Sequence, residues 1–373
     1  MIVANVIEII IKASDLASSP LRAVAGQLDD FGAGARRVGQ GIAGVGVGLL
    51  VATAPLVAGL GAAVSTSLEF SAALTNIRSL TGATTDEFAA MSSQLLALGA
   101  DSIAGPQAVA EAMYEIVSGV ADASTHMAIL ESAIATSEAG AAELGGTTAA
   151  LVSVMNAYRF GANKAAYASN VLTRTVGMGV GSMDEFAAAI PAVTGVAAPL
   201  GESFDNIGAQ LAYMTTQGYT ASVAATQLRG AFVALLNPNK AMEDSLAAIG
   251  FSSGSAALEQ LGLVETYRLM NEAAGGSVDA MAAAVGSVEA LQAVLALTGE
   301  GFAAFDASFD GGLEGVTDFA RGIQREGAAA QLQLLNSQMD ALKISVGDAL
   351  VPSLIQFVDQ IKPVVAQVTA WVQ

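Results

Sequence analysis

Between Gly41 and Val64 the chain reads GIAGVGVGLLVATAPLVAGLGAAV, with no charged side chain and with glycine or alanine at half of its positions. Few environments accept such a segment. A helix that is apolar on all sides must be buried inside an assembly or placed in lipid. Ile42–Val64 runs for about 23 residues, enough to cross a hydrocarbon layer of ~30 Å. Gly44, Gly48 and Ala52 recur every fourth residue, as do Ala54, Ala58 and Ala62, and small residues at that spacing let helices approach closely in a membrane. Pro55 lies near the centre, where it would kink a helix, and the glycines lower helix propensity. The residues themselves leave both readings open, a buried packing helix and a membrane-capable one.

Composition points the same way. Hydrophobic residues make up 53% of the 373, yet aromatics only 5% and charged residues only 13%. Small side chains bury little area each, so many close helix–helix contacts have to replace a few large anchors. A surface so poor in charge suits a protein enclosed by something else. The net charge of −19 argues against a nucleic-acid backbone as partner, because Lys and Arg are scattered and only Arg36–Arg37 adjoin. With no Cys there are no disulfides, thiolate nucleophiles or Cys-type zinc sites. The N-terminus, MIVANVIEIIIKASD, lacks a basic leading region and is not a secretory signal.

Along the chain the expected architecture is all-α: a helical hairpin core, the Gly-rich apolar helix, one short N-terminal strand and a C-terminal coiled-coil-like helix. Residues 1–40 hold the strand, NVIEIIIK at Asn5–Lys12, and an amphipathic helix over Ser19–Val38 with Leu21, Val24, Leu28 and Phe31 on one face. A lone strand needs a partner for its backbone groups, which hints at oligomerisation. Residues 41–66 are the apolar helix. Residues 67–322 form the core, punctuated by glycine loops at Gly275–Gly276, Gly299–Gly301 and Gly311–Gly312. Within it Thr84-Thr-Asp-Glu87 and Ser182-Met-Asp-Glu185 both fit a capping box, a hydroxyl at the N-cap and Glu three residues later. Each is followed by an apolar helix, a glycine turn (Ser118, Gln217) and an Ala/Leu-rich helix, which reads as a duplicated hairpin. Residues 323–373 carry Leu332, Leu335, Met339, Leu342 and Val346 in alternating steps of three and four, a seam that resumes after Pro352 with Phe357 and Ile361. The pattern reaches Gln373 without a stop signal, so a fragment or processed product is expected.

No catalytic constellation is found. His126 is the only histidine and reads as an ordinary surface or boundary residue. Asp306, Asp310, Glu314 and Asp318 are spaced by four, but without the order of a calcium loop, and read as a solvated acidic face. GQGIAG at Gly39–Gly44 fits GxGxxG only formally, since no strand precedes it and no acidic residue follows about 20 residues on. The expectation is a protein with no catalytic, cofactor or metal site.

The order of the parts resembles the N-terminal and core region of phage tail tape measure proteins, including those of contractile injection systems and tailocins. IEIIIKASDLASSPLRAVAGQLDDFG is similar to the family's usual opening. LEFSAALTNIRSLTGATTDEF is similar to its entry into the core. TASVAATQLRGAFVALLNP, Thr220–Pro238, carries the core's most specific motif around Leu228, Arg229 and Gly230, and LKISVGDALVPSL, Leu342–Leu354, resembles the exit from the core. The resemblance implies a structural protein in the lumen of a tail tube. It would be a small homo-oligomer such as a trimer, assembled in the host cytoplasm with tube and tip or baseplate proteins. Its length would set the tube's length, and it would leave through the tip on ejection, with the apolar segment entering the target-cell membrane. The long heptad region that usually follows is barely begun here, and no lytic domain is seen. The alternative reading is a membrane-active pore-forming or holin-like protein.

Overall fold

The computed structural model describes residues 53–372, and among these the secondary structure is helical throughout, with no strand. The expected strand at Asn5–Lys12, the helix over Ser19–Val38, and Gly44, Gly48 and Ala52 lie outside the described residues. Helices begin where a hydroxyl or amide side chain can take an orphan N–H. Both expected capping boxes form. Thr84 Oγ1 accepts from the Glu87 N–H at 3.4 Å and the Glu87 carboxylate accepts from the Thr84 N–H at 2.9 Å. Ser182 and Glu185 repeat the exchange at 3.2 and 2.8 Å. Ser203, Thr220, Asn239, Ser253, Ser277 and Ser287 each cap a further helix in the same way. Each such cap stabilises its helix by about 1 kcal/mol.

The chain divides into two units, Ala73–Gln338 and the pair of segments Met1–Ala72 with Met339–Gln373. Helix α1 (Thr53–Thr81) supplies residues to both, as does the last helix. In the larger unit α2 (Thr85–Ala100), opened by the first capping box, packs on α3 (Gly105–Gly119). The chain then turns into α4 (His126–Ala139), which carries the centre of this unit. Ile129, Leu130, Ala133, Ile134 and Ala135 are all buried. Its alanines and serines leave room for neighbours on almost every side: α3, α5 (Leu144–Ala157) and α6 (Ala165–Met178). This is the close small-residue packing that the composition requires.

The second capping box opens α7 (Met183–Ala189), followed at Pro191 by α8 (Pro191–Ala197), then α9 (Phe204–Thr216) and α10 (Ala221–Leu236). Packing differs from the first capped start, because α7 and α8 lie on α10. Phe186, Phe204, Phe232 and Phe309 are the large buried anchors here. α11 (Lys240–Ala248), α12 (Gly254–Ala273), α13 (Val278–Val285), α14 (Val288–Leu297) and α15 (Glu300–Asp310) close the unit around α9 and α10. α12 is kinked at Gly262, whose φ of +73° favours glycine. The tight turns at Gly275–Gly276 and Gly311–Gly312 fall where the sequence places them, whereas Gly301 lies inside α15. α16 (Val316–Glu326) and the first residues of α17 (Ala328–Val372) complete the unit.

In the smaller unit α1 and α17 lie close together. A Cβ on Gly347 would come within 2.4 Å of the Ala63 carbonyl oxygen and the Ser67 Cβ, so only glycine fits. Ser67 Oγ donates to the Asp348 carboxylate at 2.5 Å, and Ala63, Phe70, Ile344 and Leu350 are buried around this contact. α17 runs 45 residues without a break, through Pro352 and Pro363.

Candidate functional site

Each residue that the sequence singled out can now be placed. Among the described residues of α17, Ala330 and Ser337 are buried in the larger unit and Ile344, Gly347 and Leu350 in the smaller. The heptad residues lie on other faces: Leu332 is 63% exposed, Leu335 53%, Met339 47% and Leu342 41%, with Val346 half-buried. Phe357 and Ile361 lie further along the same helix. Leucine and methionine repeated at this spacing on solvent-facing positions are what an intermolecular seam needs and what an intramolecular one would not leave open. Of the small-residue stripe, Ala54, Ala58 and Ala62 belong to α1, and Ala62 is exposed while its neighbour Ala63 is buried. Among the described residues, which do not include Gly41–Ala52, no single helix is long and apolar enough to cross a membrane.

The Leu228-Arg229-Gly230 motif sits on α10. Leu228 is wholly buried; a Cβ on Gly230 would come within 3.3 Å of the Ala290 Cβ, which marks the close approach of α14. Arg229 is exposed. Gly230 therefore builds the α10–α14 contact, Leu228 belongs to the core and Arg229 faces solvent.

Two sequence readings are corrected. His126 is buried, not a boundary residue, because its ring Nε2 lies 2.8 Å from the Val120 carbonyl oxygen and closes the turn into α4. Of the four acidic residues expected on a solvated face, Asp310, Glu314 and Asp318 are exposed, and Asp306 departs from it. It is half-buried on α15, where burial first and then the charges of Asp310, Asp205 and Glu202 hold its pKa above the ordinary value.

Two buried carboxylates escaped sequence reasoning. Glu202 accepts from Asn206 Nδ2 at 3.0 Å, Gln210 Nε2 at 2.9 Å and the Leu263 N–H at 2.9 Å. It thus caps the second half of α12 from outside that helix. No cation accompanies it, and burial pushes its pKa up. It lines a cavity of about 340 Å3 with Phe302, Arg268 and Asp306. Glu138, at the end of α4, is instead held by two guanidinium groups from α16. Arg321 Nε lies 2.5 Å and Arg325 Nε 2.8 Å from Glu138 Oε2, while the Ile103 N–H donates to Oε1 at 3.0 Å. Burial raises the Glu138 pKa, but the hydrogen bonds from Arg325, Ile103 and Arg321 outweigh it and the net shift is downward. The available signal was a pair of arginines four apart on one helix face. A larger cavity, about 830 Å3, is lined by Ala108, Ala112, Glu111, Glu115, Glu143 and Gln333 among others. Among the described residues no group of His, Asp and Glu could hold a metal ion.

Close small-residue helix packing and exposed leucines at heptad spacing are the build of a helical assembly protein. The chain belongs to the family of phage-related minor tail proteins, whose model matches residues 92–288, more than half of its length. It is similar to the tape measure protein of Pneumococcus phage Dp-1, 26% identical over 241 residues, which cover 64% of this chain and 21% of that protein. It is also similar to a probable tape measure protein of Clostridium phage phiCD119 (strain Clostridium difficile/United States/Govind/2006), 25% identical over 319 residues, or 80% of this chain and 34% of the relative. The chain thus spans about a fifth to a third of the length of these relatives. No solved structure matches it.

Proposed function

We propose that this chain acts as a tail tape measure protein, a structural component housed in the lumen of a tail tube that sets tube length and leaves through the tip on ejection. Its family membership supports the tail role, and the observation that carries the elongated, multi-copy arrangement is α17. A helix of 45 residues is ~68 Å long and presents exposed leucines at heptad spacing. A few copies joined along that seam would form a narrow rod compatible with a tube interior. The low charge of the chain suits an enclosed position, and tube and tip proteins would be its partners. Gly41–Val64 would enter the target envelope after release. The chain would work without catalysis or a cofactor.

Quantitative mass spectrometry of purified particles, before and after triggered ejection, tests the placement. The chain should be present at a fixed few copies per intact tail and depleted from emptied tails. Recovery in unchanged amount after ejection would contradict an occupant of the lumen that leaves through the tip.

A further inference from the structure

α16 is docked with its polar side inward. Phe319 is 71% exposed and Ile323 55%, whereas the only fully buried residue of the helix is Thr317. Beneath it lies a bed of hydroxyls and charges. Thr317 Oγ1 donates to Thr173 Oγ1 at 2.9 Å and accepts from Ser169 Oγ at 3.2 Å, Ser169 meets Thr136 at 2.6 Å, and the Thr317 N–H donates to Asn170 Oδ1 at 3.2 Å. Further along, Arg321 and Arg325 close on Glu138, and Arg325 also reaches the Asp101 carbonyl oxygen and lies 3.6 Å from its carboxylate. The helix meets its neighbours through these hydroxyls and charges, with Val316 and Ala320 half-buried, while its two largest apolar side chains, Phe319 and Ile323, face water.

Hydrophobic burial, which makes most helices leave a core only on global unfolding, therefore contributes little here. Water can replace every contact in this bed. The flanks also permit movement. Arg174 fixes the end of α15 by donating to the Ser308 and Phe309 carbonyl oxygens at 2.7 and 3.3 Å. Just beyond that anchor come Gly311, Gly312 and Gly315, the last at φ +69°, and Gly327 separates α16 from α17.

We propose that α16 is a detachable strap, which leaves its polar bed on α4 and α6 as one unit, hinged between Gly311 and Gly315 and at Gly327, while the helices beneath it stay folded. The ion cluster on Glu138 is the latch and the Thr317 hydroxyl network is the seat. Opening uncovers Glu138 and the face of α4 on which α16 lies, and so gives the core a place to begin opening without first breaking its apolar packing.

Amide hydrogen exchange of the purified full chain tests this. In the wild-type protein, protection over 316–326 should be roughly a hundredfold lower than over α9, and salt should lower it further without changing α9. Glu138→Gln should speed tryptic cleavage after Arg321 and Arg325 by about tenfold or more, with α9 protection unchanged. The chain has no native cysteine, and the Thr173 and Thr317 hydroxyls are 2.9 Å apart, so Thr173→Cys with Thr317→Cys gives a lock. Oxidation of that double variant should slow exchange and cleavage in the strap, and reduction should restore both. If residues 316–326 exchange at the rate of α9 in the wild-type protein, or if salt and the lock change neither, α16 is an integral core helix and the proposal fails. Should Glu138→Gln not fold, the salt series and the lock decide the question.

Discussion

Glu138 and Glu202 are buried carboxylates treated oppositely by their surroundings, and their titrations should oppose each other. Glu138 has its pKa depressed by two arginines and the Ile103 N–H despite burial. Its stabilising contribution is complete above the ordinary carboxylate value of 4.5 and is lost as pH falls through the lowered value. Glu202 has its pKa raised by burial, so the folded state holds its proton longer than the unfolded chain. Its contribution is present below 4.5 and declines as pH rises through the raised value. In Glu202→Gln the side chain no longer titrates, but one of the two oxygens that accept from Asn206, Gln210 and Leu263 becomes an NH2 group. We expect denaturation curves across pH 4–8 to be flatter for this variant on the alkaline side, with stability at neutral pH lowered by no more than about 1 kcal/mol. A loss on the order of 3 kcal/mol at pH 7 would show that Glu202 is needed ionised. Neither carboxylate was legible in the sequence, because Glu138 meets Arg321 and Arg325 at sequence separations of 183 and 187 and local spacing cannot reveal such a pairing. The capping boxes were legible because all their atoms lie within four residues. At the family motif, Gly230→Val should cost about 1–3 kcal/mol by pushing α14 away, and Arg229→Ala within ~0.5 kcal/mol, both read by chemical denaturation.

At the scale of elements, helix starts are written in single residues and helix partners are not. Ser182→Ala should remove about 1 kcal/mol and Thr84→Ala a similar amount, although the helices they open pack differently. The seam of α17 was visible as a pattern, but the same helix also buries Ala330, Ser337, Ile344 and Leu350, and periodicity alone could not say which set faces inward. Packing against α1 resolves it in the smaller unit, since Gly347 and Asp348 touch Ala63 and Ser67 and turn Met339 and Leu342 outward. Replacing Leu335 and Leu342 together by Glu should therefore reduce the sedimentation-derived mass toward that of one copy while leaving helical circular dichroism unchanged. A variant whose mass matches that of the wild-type protein would contradict the proposed oligomer through this seam, and one that loses helicity would show the two leucines to be part of the fold.

For the molecule as a whole, composition already required a helical body built from small-residue contacts, and α4 with its alanines and serines shows how those contacts are made. What composition could not provide was the inward-facing polar side of α16, since amphipathic patterning predicts the reverse orientation. The central proposal, that chain length is converted into tube length, draws its support from the family match over residues 92–288 and the exposed leucines of α17. In-frame deletion or duplication of whole heptads within α17, followed by electron microscopy of assembled tails, measures this most directly. Tail length should change by ~1.5 Å for each residue removed or added, or about 10 Å per heptad, in steps of whole tube rings. Tails of unchanged length across a series of several heptads would contradict a measuring role.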